Sequence, residues 1–143
     1  MRNFMIKINT DASTHPKYQV SAGCFIIKKE NQTIVETFPL DATDNHIAEF
    51  QTMILSLEYC LQNNWQKDLI FIYSDSRIVV ESFHKRYVKN DRFLPLLSKL
   101  LVLSQEFSDL MIEWIPQESN KMADHHAKQA LKKELKRQKK SPK

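Results

Sequence analysis

Glycine is almost missing from this chain: Gly23 is the only one in 143 residues. Every glycine-rich phosphate loop is thereby excluded. Cysteine is nearly as scarce, with Cys24 and Cys60 standing alone in a strand-like and a helix-like setting. Each reads as a small buried hydrophobe rather than half of a disulfide or a metal site. No apolar run approaches the roughly 20 residues needed to span a bilayer, and the start MRNFMIKINTD lacks a signal-peptide core. The chain is therefore expected in the cytoplasm, away from membranes.

What is present fits one soluble domain. Hydrophobic residues make up 42% and charged residues 27% of the sequence, enough to bury a core. The net charge of +4 is unevenly placed. From Leu131 onward seven Lys/Arg face one acid, Glu134, which puts +6 there and leaves about −2 on the body. Residues 1–131 are accordingly read as the domain and 132–143 as a basic extension of its last helix. A mildly acidic body with a basic end suits a nucleic-acid binder whose catalytic surface is itself negative, or equally a solvated helix end that serves solubility alone.

Periodicity supplies the elements. FMIKINTD alternates apolar and polar residues and reads as a strand; VSAGCFIIKK and TIVETFPL follow after short links, the second of them Asn31-Gln32, as an antiparallel meander. Thr43, Asp44 and Asn45 offer cap chemistry for a helix carrying Ile47, Ile54, Leu57 and Leu61 and ending near Asn63-Asn64. DLIFIYSD is a continuous apolar run, expected of a strand buried on both faces. Helices follow over about Ser76 to Tyr87 and Phe93 to Phe107, then a strand DLMIEWIP, then a last helix from near Ser119. The order β-β-β-α-β-α-α-β-α implies an α/β fold: a mixed five-stranded sheet with helices on its faces.

Four acids stand at the ends or entries of these buried elements: Asp11, Glu49, Asp75 and Asp124. An unpaired carboxylate is costly in such places, so four of them suggest a cation that gathers them. If the strands bearing Asp11 and Asp75 are parallel neighbours, both carboxylates emerge at the edge of the sheet where ligands bind. Glu49 reaches over from the first helix, where small Ala48 allows close approach, and Asp124 closes the set from the last helix.

The contexts Thr10-Asp11-Ala12-Ser13, Ala48-Glu49, Ser74-Asp75-Ser76 and Asn120-Lys121-Met122-Ala123-Asp124, in this order, resemble the type 1 ribonuclease H family over about residues 4 to 131. The resemblance implies the ribonuclease H fold and an endonuclease that hydrolyses the RNA strand of RNA–DNA hybrids with two Mg²⁺ ions, or Mn²⁺; a monomer is expected separately. It implies that Asp11, Glu49, Asp75 and Asp124 are the metal ligands. Hard divalent ions prefer such carboxylate oxygens. Asn45, Ser74, Ser76 and Asn120 are candidates for holding phosphates or 2′-hydroxyls, with helix capping as the competing role.

The chain also departs from the family pattern. The segment Trp114 to Asn120 is short and lacks the His that active relatives often carry before the last acid. His125 and His126 point about 100° apart on a helix, so the two cannot share one metal; His126 is expected to be partly buried. His15 and His46 are expected in loop and cap roles. The basic protrusion that grips the hybrid is reduced to His84–Arg92, where Lys and Arg could meet phosphates while Tyr87 or Trp65 offers a stacking surface. Weak hybrid affinity and slow turnover are the expected consequences. The alternative reading is therefore a nucleic-acid-binding module of the same fold with weak or no cleavage. An exonuclease of the superfamily would place further acids in the first strand, as Asp-x-Glu, whereas Asp11 is followed by Ala12 and Ser13.

Overall fold

The computed structural model describes residues 4–140. Strands β1 (Met5–His15), β2 (Val20–Lys29) and β3 (Gln32–Leu40) form the antiparallel meander. Helix α1 (Asn45–Gln62) leads to β4 (Leu69–Ser74), which pairs in parallel with β1. Helices α2 (Arg77–Lys85) and α3 (Leu94–Ser104) precede β5 (Asp109–Trp114), parallel to β4, and α4 (Lys121–Lys140) ends the described chain. The sheet order is β3-β2-β1-β4-β5. The mixed five-stranded architecture and the order of elements are those expected. Residues 141–143 of the basic extension lie outside the described residues.

Strand alternation builds the main core. Ile6, Ile8, Ile27, Ile70, Ile72 and Ile112 are all buried in one cluster with Phe50, Met53 and Leu57 of α1 and Leu97 and Leu100 of α3. Each such side chain contributes about 1.5–3 kcal/mol on leaving water. The opposite face is covered by α4 over β1, β2 and β3. Its Ala123 and Ala127 rest on Cys24 and Ile26, and Leu131 on Val20 and Ala22. Cys24 and Cys60 are free and buried, and burial pushes both thiols up to about 12.

Three local readings need correction. Strand β4 is not buried on both faces: Ile70, Ile72 and Ser74 are buried, while Leu69, Phe71 and Tyr73 are half-buried. Helix α4 stops short of this side of β4, so Phe71 and Tyr73 stack on each other instead, with ring centroids 6.4 Å apart. Trp65 is not a bare stacking surface: it is half-buried beside the main core, its ring edge-on to Tyr59 at 5.8 Å and 5.7 Å from the Lys29 ammonium. The turn between β2 and β3 is Glu30-Asn31, one residue earlier than expected, since Lys29 pairs with Gln32. With glycine so scarce, Glu30 itself takes the left-handed φ of 55° there.

The link from α2 to α3 contains only a short 3-10 turn, Asp91–Phe93, among the described residues. Arg86 closes α2 in the left-handed region with φ 58°. His84 is pinned to the Ile112 carbonyl at 2.7 Å, and Arg92 pairs with Asp44 at 3.0 Å. His84 and Arg92 of this basic cluster are thus tied to the body, while Lys85, Arg86 and Lys89 are exposed and Tyr87 is 62% exposed. No helix among the described residues is long and apolar enough to cross a membrane.

Candidate active site

The parallel ladder between β1 and β4 ends at the pair Thr10–Ser74. Asp11 and Asp75 are the next residue on each chain, so both carboxylates emerge where the two strands stop pairing. Strand β1 does not end at Asp11, however. It runs on to His15 against Val20 of β2, with Asp11 opposite Cys24. The run Ser13-Thr14-His15 is polar in sequence, but Thr14 and Ser21 share a side-chain hydrogen bond of 2.6 Å that holds the two strands together.

Helix α1 delivers Glu49. Its N-cap is Asp44, whose carboxylate accepts from the backbone N–H of His46 at 2.8 Å and of Ile47 at 3.1 Å. Ala48 packs with Ala12 and Ala42 in a cluster of small residues, which lets α1 lie close to β1. Gly23 serves the same approach. A Cβ there would lie 2.4 Å from Thr52 Oγ1 and 2.5 Å from a Phe38 ring carbon.

Carboxylate oxygens of Asp11, Glu49 and Asp75 lie within 4.8 Å of one another. Asp11 and Glu49 are only 4% and 5% exposed. Burial first, then the charges of Asp75 and Asp124, push Asp11 up to about 8. Burial, then Asp11 and Asp75, hold Glu49 well above the usual carboxylate range. Asp75 is raised chiefly by burial, against a hydrogen bond from Asn120 that lowers it. Glu49 Oε2 is buried with no hydrogen-bond partner among the described residues. A buried, unsatisfied oxygen inside a group of mutually repelling acids is unfavourable for the protein alone. It is well suited to a hard divalent cation, which takes oxygen ligands and cancels their repulsion.

Asp124 sits at the border of this group in the first turn of α4. Its charge and a side-chain hydrogen bond both act on Asp11, and its carboxylate also meets Lys128 Nζ, one turn on, at 3.0 Å. Asn120 is buried and fully engaged. Its amide donates to the Thr10 carbonyl at 2.9 Å and to Asp75 Oδ2 at 3.2 Å, and its oxygen accepts from Asn9 at 3.0 Å. It ties β1, β4 and the start of α4 together and orients Asp75. Ser74 is buried and accepts from the Ser76 backbone N–H at 3.0 Å, and Ser76 caps α2 through Val79. Asn45 is exposed at the start of α1.

Beside the acids opens a cleft of about 640 Å³ lined by Asn45, His46, Glu49, Asp75, Arg77 and Trp114, among others. Arg77 and Trp114 were not apparent as site residues from sequence. The Arg77 guanidinium lies 4.0 Å from the Trp114 ring centroid, and the indole N–H donates to the Asp75 carbonyl at 3.2 Å. The one signal was an aromatic residue at the end of the fifth strand, beside the strand that carries Asp75. Of the histidines, His46 reaches the cleft rim and packs edge-on against Phe93, His15 lies at the end of β1, and His126 is half-buried as expected.

Comparisons with known proteins agree with this fold. The model of a family described as reverse transcriptase-like matches residues 9–130. EbsB of Enterococcus faecalis, which carries a provisional hydrolase name, is 35% identical over 129 residues, spanning 90% of this chain and 96% of that protein. Among solved structures, ribonuclease H1 of the halophilic archaeon Halobacterium salinarum superposes with a TM-score of 0.78 at 21% identity, covering 90% of this chain and 98% of that one. The N-terminal ribonuclease H domain of rv2228c from Mycobacterium tuberculosis gives 0.82 at 20% identity, with 94% and 98% covered. LC11-RNase H1, solved in complex with an RNA/DNA hybrid, gives 0.79 at 24% identity, with 91% and 99% covered.

Proposed function

The chain belongs to the reverse transcriptase-like family and has the ribonuclease H1 fold, and from that premise we propose that it is a hydrolytic nuclease cutting the RNA strand of RNA–DNA hybrids. The observation that carries the reading is the convergence of Asp11, Glu49 and Asp75 within 4.8 Å, two of them buried and all three with raised proton affinity.

Asp11, Glu49 and Asp75 would hold divalent cations, with Asp124 joining from α4 once freed from Lys128. Two Mg²⁺ ions, or Mn²⁺, would supply the Lewis acidity that activates a water on one side of the phosphate and stabilises the leaving 3′-oxygen on the other. The protein's own part is positioning. Asn120 fixes Asp75 relative to β1. The buried setting of Asp11 and Glu49 keeps bulk water from screening their charge. Arg77, stacked on Trp114 at the cleft rim, is placed to meet a substrate phosphate, and Asn45 and Ser76 flank the same opening. Ser74 and Asn120 act through the backbone and carboxylate they hold. A monomer in the cytoplasm meeting hybrid duplexes is the setting this reading proposes.

The missing protrusion between α2 and α3 and the absence of His in residues 115–120 favour a second reading, a binding module that cleaves poorly. One assay separates the two. The protein and its Asp75→Asn variant are incubated with a hybrid labelled on the RNA strand, in Mg²⁺ and separately in Mn²⁺. Cleavage by the wild type alone supports the nuclease; no cleavage in either metal leaves the binding module, and equal cleavage by both proteins places the activity elsewhere.

A further inference from the structure

Helix α4 carries a feature that the active site does not use. At 100° per residue, Lys121, His125, Lys128, Lys132, Lys136 and Lys139 fall within one arc of about 80° along a length of about 27 Å. All six are exposed. The two acids of the helix, Asp124 and Glu134, lie outside the arc, and Glu134 is occupied by Arg137. The stripe begins beside the acid group, where Lys128 meets Asp124 at 3.0 Å. It ends over the turn between β1 and β2, where the Lys139 and Lys17 ammonium groups lie 5.8 Å and 5.5 Å from the Tyr18 ring centroid. His15 packs against the same ring at 4.8 Å, and Tyr18 remains half exposed.

We propose that this stripe, with Lys17 and Tyr18 at its far end, is a second nucleic-acid contact that holds the phosphate backbone of the duplex beyond the cleavage site. The proposal rests on the nuclease reading for the identity of the duplex. Lys128, Lys132 and Lys136 recur about every 6 Å, and a strand of duplex presents one phosphate per about 3.4 Å of axis, so each lysine meets a separate phosphate. A membrane surface fits less well. An interfacial helix needs a free apolar face, and Ala123, Ala127 and Leu131 are already buried against the sheet. The stripe adds to the cationic surface that Lys85, Arg86 and Lys89 expose around the short link between α2 and α3.

The test uses the full chain and a variant carrying Lys132→Gln, Lys136→Gln and Lys139→Gln; Lys128 is kept because it touches Asp124. A fluorescent 24-base-pair RNA–DNA hybrid is titrated in EDTA between 50 and 200 mM salt. Three lost phosphate contacts lower the salt slope by about 2.7, so the wild type loses about 40-fold more affinity over that range than the variant. Hybrid cleavage in Mg²⁺ keeps its kcat, with KM raised, and thermal unfolding matches the wild type. An unchanged salt slope with cleavage intact overturns the stripe and leaves the nuclease reading standing. A reduced slope in a protein that cleaves no hybrid supports the stripe and removes the nuclease reading. Loss of binding to phosphatidylserine vesicles with hybrid affinity unchanged overturns the proposal in favour of a membrane surface.

Discussion

Replacing Asp11 with Asn is expected to stabilise the metal-free protein, although it removes a metal ligand. Asp11 is raised from 3.8 to about 8, first by burial and then by Asp75 and Asp124. The native state therefore holds a proton that the unfolded chain has released between about pH 4 and pH 8. Stability tied to this group is greatest below pH 4 and falls as the pH climbs toward 8. At about 1.4 kcal/mol per unit, ionising Asp11 costs the native state about 5–6 kcal/mol. Burial is the larger part of that cost and repulsion the smaller; Asn removes both but leaves a buried amide that needs partners, so on the order of 3 kcal/mol is recovered. For a chain of this size that is a rise in Tm of about 9 °C. The assay is thermal unfolding by circular dichroism in EDTA at pH 5.5 and pH 8.5. Wild-type Tm should fall between the two, the variant should fall less and unfold higher at pH 8.5, and Mg²⁺ should raise the wild type more than the variant. A wild-type Tm that is flat across this range, or a variant no more stable at pH 8.5, would refute the electrostatic reasoning.

Asn120→Ala leaves the Thr10 carbonyl and the Asn9 amide without their partner; a loss of about 2–3 kcal/mol is expected by denaturant unfolding, with kcat on the hybrid falling more than KM rises. Gly23→Ala forces a Cβ against Thr52 and Phe38, and a cost of about 1–3 kcal/mol should appear as a lower Tm. Trp114→Ala removes the support beneath Arg77 and the bond to the Asp75 carbonyl. A combined loss of about 1–2 kcal/mol corresponds to roughly tenfold in kcat/KM, which steady-state kinetics on a labelled hybrid would measure.

The acids were legible in the sequence because each sits beside an apolar element whose type can be read from its period. A strand ending Ser-Asp-Ser and a helix entered at Ala-Glu are local statements, and parallel pairing of β1 with β4 follows from the crossover between them. Other parts of the site depend on contacts between distant residues. Arg77 and Trp114 meet across the gap between α2 and β5. Asn120 looked like a substrate contact or a cap, and its three internal bonds emerge only when β1, β4 and α4 are assembled. The continuation of β1 to His15 was hidden because its last residues are polar and paired through a hydroxyl bridge. The apolar run of β4 suggested burial on both faces, but α4 covers only the β1 to β3 side of the sheet, which no local pattern records.

The central claim, that these carboxylates together bind divalent cations, is most directly tested by anomalous diffraction from crystals soaked in Mn²⁺. Anomalous density enclosed by Asp11, Glu49 and Asp75, with Asp124 turned away from Lys128 toward it, is the predicted result. Manganese bound only elsewhere, or those three side chains left apart with no ion at saturating Mn²⁺, would contradict it.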